Sequence, residues 1–131
     1  MVFPYIYDRF LLRKNNVKNI IKIRKKNYDN LFADYNSVFP DGRQKSACPL
    51  FFPILVNNRD KVREILIENN IFAPIHWSLP KDVNSVDFSD SHYLSKHIIS
   101  IPIDEMVGEK EIQHIKKILS KKEIFRELLW L

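Results

Sequence analysis

Hydrophobic residues recur every three or four positions in the first third of the chain, the pattern of a helix that buries one face. The pattern predicts a long helix that is capped by Asn15 or Asn16 and ends before Pro40. Arg24 interrupts the apolar stripe, so this part of the helix is expected to face a polar neighbour or the end of a packing surface. The apolar positions of the stripe are Val17, Ile20, Ile21, Tyr28, Leu31 and Tyr35.

Four shorter helices are expected further along. The first follows Asn58 and ends at Asn69-Asn70, a pair that suits the left-handed turn at a helix end. A polar helix is predicted over residues 89–96. Another starts near Glu109, where acidic residues complement the helix dipole. The last covers IFRELLWL at the C-terminus, and residues 120–123 suggest a capping box before it.

Three short apolar runs predict strands: CPLFFPILV from Cys48, Ile71–Trp77, and His97–Ile103. Pro49 and Pro53 favour an edge position for the first, because proline cannot donate to a sheet ladder. The alternation of helices and strands indicates an α/β (α+β) domain in which helices cover a small sheet of few strands. The long N-terminal helix precedes this sheet.

The 131 residues suffice for one compact unit with its own core. We divide the chain into an N-terminal segment, residues 1–46, which contains a long basic amphipathic connecting helix, and a compact α/β small domain, residues 47–131. The boundary follows a turn-rich stretch that begins at Pro40. The first segment holds ten basic and four acidic side chains, and the second holds eleven basic and twelve acidic ones. The excess positive charge is therefore N-terminal.

Between Arg9 and Lys26 the chain has eight bases and no acid. A solvated helix face explains this run better than nucleic-acid binding, because no aromatic side chain is interleaved from Lys14 to Lys26 and no nucleic-acid-binding motif occurs. The longest uncharged apolar run, residues 47–56, is too short to span a membrane. The composition therefore predicts no membrane partner, and a nucleic-acid partner is not expected.

The sequence holds few residues that mark familiar chemistry. Its two glycines, Gly42 and Gly108, are too far apart for a phosphate-binding loop or a dinucleotide fingerprint. The lone Cys48, expected to be buried and inert, fits a cytoplasmic protein without disulfides. The four histidines lack the spacing of metal ligands, so no metal is expected. We find no combination of residues that would make the chain a stand-alone enzyme, and no residue is assigned a catalytic role.

His76 and Trp77 lie between two prolines, Pro74 and Pro80, at the end of a predicted strand. Aromatic and imidazole groups at a strand end commonly line a cleft or an interface. From the residues alone, packing in the core or at an interface is favoured over ligand contact.

Residues 17–119 resemble the C-terminal small domain of the DegT/DnrJ/StrS family of pyridoxal-phosphate-dependent aminotransferases, which are of fold type I and mostly aminate keto groups on nucleotide-linked sugars. The resemblance rests on the order and spacing of five segments: RKKNYDNL (24–31), FPILVNNRD (52–60), ENNI (68–71), PIHW (74–77) with a following Leu-Pro, and SKHIISIP (95–102).

The resemblance implies substrate-side positions for His76, Trp77 and Arg59, although a surface or helix-start role is favoured for Arg59. It implies interface positions for Arg24 and Tyr28, because the helix that carries them would pack on a missing partner. The family's large domain carries the Schiff-base lysine and the other cofactor-binding groups, and this chain has no room for it. We therefore expect no cofactor in this chain, whereas the intact family uses pyridoxal phosphate.

A truncated or detached domain of this kind is expected to be inactive alone. It could work with a large domain in another chain, and its uncovered apolar surface makes self-association plausible. The alternative is a non-catalytic binding module that uses the groove at His76 and Trp77 or the basic N-terminal helix.

Overall fold

A computed structural model describes residues 14–38, 47–76 and 78–129. In these residues five helices and a two-stranded antiparallel sheet form a mixed α+β domain, which confirms the predicted fold class. The elements in chain order are α1 (Lys14–Phe32), β1 (Phe51–Leu55), α2 (Arg59–Glu68), α3 (Ser89–His97), β2 (Ile98–Pro102), α4 (Glu109–Leu119) and α5 (Lys122–Phe125).

The two strands pair antiparallel, with Phe52 opposite Ile101 and Pro53 opposite Ser100. The Pro53 carbonyl accepts a hydrogen bond from the Val38 N–H at 3.1 Å, so it faces away from β2. In an antiparallel ladder alternate residues turn their backbone groups outward. Pro53 and Pro102 both occupy such positions, so their missing N–H groups remove no hydrogen bond between β1 and β2.

Alternate strand residues form the centre of the hydrophobic core, as the two-residue period of a strand requires. Phe52 is fully buried, and its ring lies edge-on to that of Tyr28 on α1, with centroids 5.0 Å apart. Helices α2 and α4 complete the core with their apolar faces. Other residues of the hydrophobic core, from both strands and three helices, include Ile54, Ile99, Ile101, Leu31, Val62, Leu66, Ile112, Ile115 and Leu119.

The helix predictions hold for α2, α3 and α4. Asn70, which follows α2, has a φ of 60°, the left-handed conformation expected for the Asn-Asn pair. Helix α1 ends at Phe32 and already includes Asn15 and Asn16, so neither residue is its cap. Asn58 does occupy the N-cap position of α2, but its side chain makes no capping hydrogen bond.

The strand predicted at Ile71–Trp77 is wrong for residues 71–76, which belong to no strand. Proline at position 74 has no N–H for a ladder. The segment contacts the sheet through a long hydrogen bond, from the Ser100 N–H to the Pro74 carbonyl at 3.4 Å. Trp77 lies outside the described residues.

The C-terminal helix is also shorter than predicted. Its cap position is held by Lys121, and the Ser120 hydroxyl donates to the Lys117 carbonyl, so no capping box forms. After α5 the chain returns to the end of β1, and Leu128 forms an isolated antiparallel bridge with Val56, the residue that follows this strand. The Leu129 N–H donates to the Leu55 carbonyl at 2.9 Å.

No helix in the described ranges combines the length and the apolar character that crossing a bilayer requires.

Candidate functional site

His76 is exposed at the end of the segment that runs beside β2. Its ring lies against that of Phe51, the first residue of β1, with centroids 4.6 Å apart. Phe51 is half-buried and is also one of the residues that line a surface cavity. The structure thus connects His76, through one aromatic ring, to a concave surface that the sequence did not reveal.

This cavity has a volume of about 390 Å³, and we call it the Phe51 groove. The sheet ends, the segment after α2 and the first turns of α4 form its walls. Those walls are mainly apolar, and Phe72, with 69% of its surface exposed, forms an outer lip. The lining residues are Phe51, Asn70, Ile71, Phe72, Pro74, Pro102, Asp104, Val107, Glu111, His114 and Ile115.

Three ionisable side chains lie among these walls. Asp104 accepts the Met106 N–H at 2.9 Å, which fixes the turn before α4. Glu111 lies in the first turn of α4, and a Cβ added to Gly108 would come within 2.8 Å of its carboxylate. The His114 Nε2 lies 2.8 Å from the Asn69 carbonyl, so this nitrogen is the donor. The groove therefore presents two carboxylates beside an apolar surface.

Asn27 of α1 holds the turn that carries Asp104 and Val107. Its side chain is 4% exposed, and its amide nitrogen donates to the Val107 carbonyl at 2.7 Å and to the Ile103 carbonyl at 3.2 Å. Since buried carbonyls need donors, this amide replaces water at the base of the turn. Sequence analysis missed Asn27, because a helical asparagine gives no sign that its partners are backbone groups some 80 residues away.

Arg24 lies one turn before Asn27 and pairs with Glu105, with Nη2 and Oε2 3.2 Å apart. The expectation of a polar neighbour for Arg24 is thus confirmed. The Arg24 Nε is buried and has no hydrogen-bond partner in the described part of the chain. The pKa of Glu105 is lowered, mainly because its carboxylate binds its own backbone amide and further because Arg24 donates to it.

Glu105→Gln tests this pair through its pH dependence. A carboxyl whose pKa is lower in the folded state stabilises the fold above its unfolded pKa, and that contribution disappears as the pH falls through the folded pKa. Because the Glu105 side chain is 40% exposed, we expect a loss of less than about 1 kcal/mol near neutral pH. The free energy of unfolding of both chains is measured by urea denaturation at two pH values, one near neutral and one well below the ordinary glutamate pKa of 4.5. The difference between the parent chain and Glu105→Gln should disappear at the lower pH. Glu123→Gln, at an exposed site on α5, is the control, and a difference that persists in acid would contradict the assignment.

Tyr28, the second predicted interface residue, is 1% exposed, and its hydroxyl donates to the Ser37 hydroxyl at 2.7 Å. It packs within the core of this chain. Whether Arg24 and Tyr28 also meet a second domain stays a prediction.

Arg59 lies elsewhere, at the start of α2. Its guanidinium donates to the Ser95 carbonyl of α3 and to Asp60, which joins the start of one helix to the end of the other. A shallow cavity of about 280 Å³ beside it is lined also by Lys61 and Lys96. It shares no lining residue with the Phe51 groove, so Arg59 is not part of that groove. The substrate-side role of Arg59 stays a prediction.

The remaining candidate groups make local contacts. Cys48 is exposed, so the expectation of a buried thiol is wrong. The rings of His92 and His97 bind the carbonyls of Val83 and Val56. Burial raises the pKa of Tyr35, and the neighbouring Asp34 carboxylate raises it further. Among the described residues, no three His, Cys, Asp or Glu side chains are grouped to hold a metal ion.

A scan of the sequence against models of known protein families finds no match, and a search of curated proteins finds none either.

Proposed function

We propose that this chain acts as the small domain of an aminotransferase-like assembly and supplies the substrate-side surface around His76 to a pyridoxal-phosphate-binding domain. The observation that carries the proposal is the exposure of His76. The residue that resembles the family's substrate-side histidine is on the surface, against Phe51, and is therefore accessible to a second domain. The mixed α+β fold, with the long helix α1 packed on β1 and α4, supports the same assignment.

We propose further that the chain does not transfer amino groups alone. Pyridoxal-phosphate chemistry requires a lysine whose amine is unprotonated, and proteins achieve this by desolvation or by a neighbouring cation. Every lysine side chain that the structure describes is exposed or half-buried. These residues do not fit the cofactor-binding role, so the large domain would have to supply it.

Complementation tests the proposal. The purified chain is incubated with pyridoxal phosphate, an amino donor and a nucleotide-linked keto sugar, with and without the isolated large domain of a DegT/DnrJ/StrS aminotransferase. We expect amino-sugar product, followed by mass spectrometry, only in the mixture. His76→Ala should raise KM for the sugar at least about tenfold if the imidazole contacts substrate.

His92→Ala is the matched control, since His92 binds the carbonyl of Val83 in a surface segment. Product from the chain alone would contradict the view that it is inactive by itself. If the mixture and the separate components are equally inactive, the aminotransferase-like assignment fails.

The second candidate is a non-catalytic binding module that uses the basic face of α1. Lys18, Lys22 and Lys26 are exposed at four-residue intervals on this helix, which places them along one side. Lys26 also pairs with Glu109 at 3.7 Å, an exposed contact of little strength. Titration with a sugar nucleotide and with DNA at two salt concentrations distinguishes this function, because phosphate-driven binding weakens steeply with salt.

A further inference from the structure

The Phe51 groove combines an aromatic and proline-rich surface with carboxylates in a single cavity. Phe51 and Phe72 provide aromatic rings, and Pro74 and Pro102 provide rigid apolar surface. Asp104 and Glu111 lie among the same lining residues. Apolar cavities with a few placed polar groups are the usual form of small-molecule sites.

The size of the groove indicates what it can hold. Its volume of about 390 Å³ is near the lower end of the range for small-molecule pockets, roughly 300–1,000 Å³. A ligand with one ring and a short chain suits such a cavity better than a peptide helix or a nucleotide. The occupant should therefore be a small organic molecule.

The charged residues that line the groove indicate the sign of the charge on the ligand. Among the described residues that line it, none is Lys or Arg, whereas two are carboxylates. Asp104 uses one oxygen to accept the Met106 N–H, and a carboxylate has capacity for further donors. Aromatic faces such as those of Phe51 and Phe72 also attract cations.

We propose that the Phe51 groove binds a small organic ammonium ion, with its apolar body against Phe51, Phe72 and Pro102 and its ammonium group beside Asp104 and Glu111. This site goes beyond the proposed function, because it is formed by the chain alone and requires no second domain. An anionic molecule of the same shape is disfavoured by both carboxylates.

Titration with 2-phenylethylammonium tests the site directly. We expect chemical-shift changes, in nuclear magnetic resonance spectra of the ¹⁵N-labelled chain, at the amides of residues 70–72, 104, 107 and 111–115. The expected Kd is about 1 mM, typical of a ligand with so few atoms. 3-Phenylpropionate, which has the same ring but a negative charge, should bind at least about tenfold more weakly.

Two substitutions test separately the electrostatic contact to the ammonium group and the apolar contact to the ring of the probe. Glu111→Gln should weaken binding of the ammonium probe and leave that of the neutral 2-phenylethanol unchanged. Phe72→Ala should weaken binding of both, and its exposed position means that the fold does not depend on it. Glu123→Gln and Phe125→Ala change the same residue types at exposed sites on α5 and serve as matched controls.

The proposal is overturned if the three probes bind equally, if the shifts map outside the groove, or if no probe binds up to about 20 mM. It is also overturned if Glu111→Gln and Asp104→Asn both leave the affinity for the ammonium probe unchanged. Since no second domain is present in the titration, its outcome is independent of the complementation experiment.

Discussion

Replacing Phe52 with alanine is expected to lower the free energy of unfolding by about 3–5 kcal/mol, because it removes a fully buried aromatic ring from a close-packed core. Phe52 has no exposed surface and lies edge-on to Tyr28, 5.0 Å between ring centroids. It connects β1 to α1, so the cavity would open between the sheet and its longest helix. Urea denaturation followed by circular dichroism measures the loss.

Phe72→Ala is the matched control for this prediction. The same side chain is removed from a position that is 69% exposed, so we expect a change within about 0.5 kcal/mol. A small domain has only about 5–15 kcal/mol of total stability, and Phe52→Ala should therefore bring the chain close to unfolding. If the two alanine variants were equally stable, the proposed position of Phe52 at the centre of the core would be wrong.

Asn27→Ala is expected to cost about 2–3 kcal/mol, because it leaves the buried carbonyls of Val107 and Ile103 without their donor. Since that turn carries Asp104, the variant should also weaken binding of the ammonium probe to the Phe51 groove. Thermal denaturation measures the stability, and the probe titration at a temperature well below Tm measures the second effect.

Asn19→Ala, an exposed position on the same helix, should be neutral or slightly stabilising, because alanine is the better helix former. Asn27→Asp separates hydrogen bonding from size: a carboxylate of the same shape cannot donate to the carbonyls, so it should be at least as harmful as alanine. An Asn27→Asp variant that is as stable as the parent chain and binds the ammonium probe equally well would show that the amide does not hold the turn.

Much of the helical structure could be predicted from the sequence, because periodicity and helix-end residues act locally. The apolar positions of α4 follow a three- and four-residue spacing, and Ile112, Ile115, Ile118 and Leu119 are all buried. The left-handed Asn70 follows from its own short polar side chain. The predicted strand at residues 71–76 failed because an apolar run alone does not show whether a ladder partner exists for each N–H.

The candidate site was harder to predict, because distant segments form it. His76 was identified from its place between two prolines, but Phe51, which contacts it, comes from β1, 25 residues earlier in the chain. Asp104 lies in a loop and Glu111 in the first turn of α4, where acidic residues are common, so neither stands out in the sequence. The groove exists because β1, the segment after α2 and α4 meet, and nothing local in any one of them indicates a concave surface.

The outward positions of Pro53 and Pro102 have a consequence for aggregation. A two-stranded sheet has two open edges, and an open edge can accept a strand from another molecule and extend into a fibre. Here Val38 and Leu129 already donate to the carbonyls of Pro53 and Leu55, while Ser100 donates to Pro74. Since a proline also removes one outward N–H from each strand, neither edge offers a continuous row of donors and acceptors. Pro53, which favoured an edge position for β1, and Pro102 on β2 thus also oppose intermolecular strand addition.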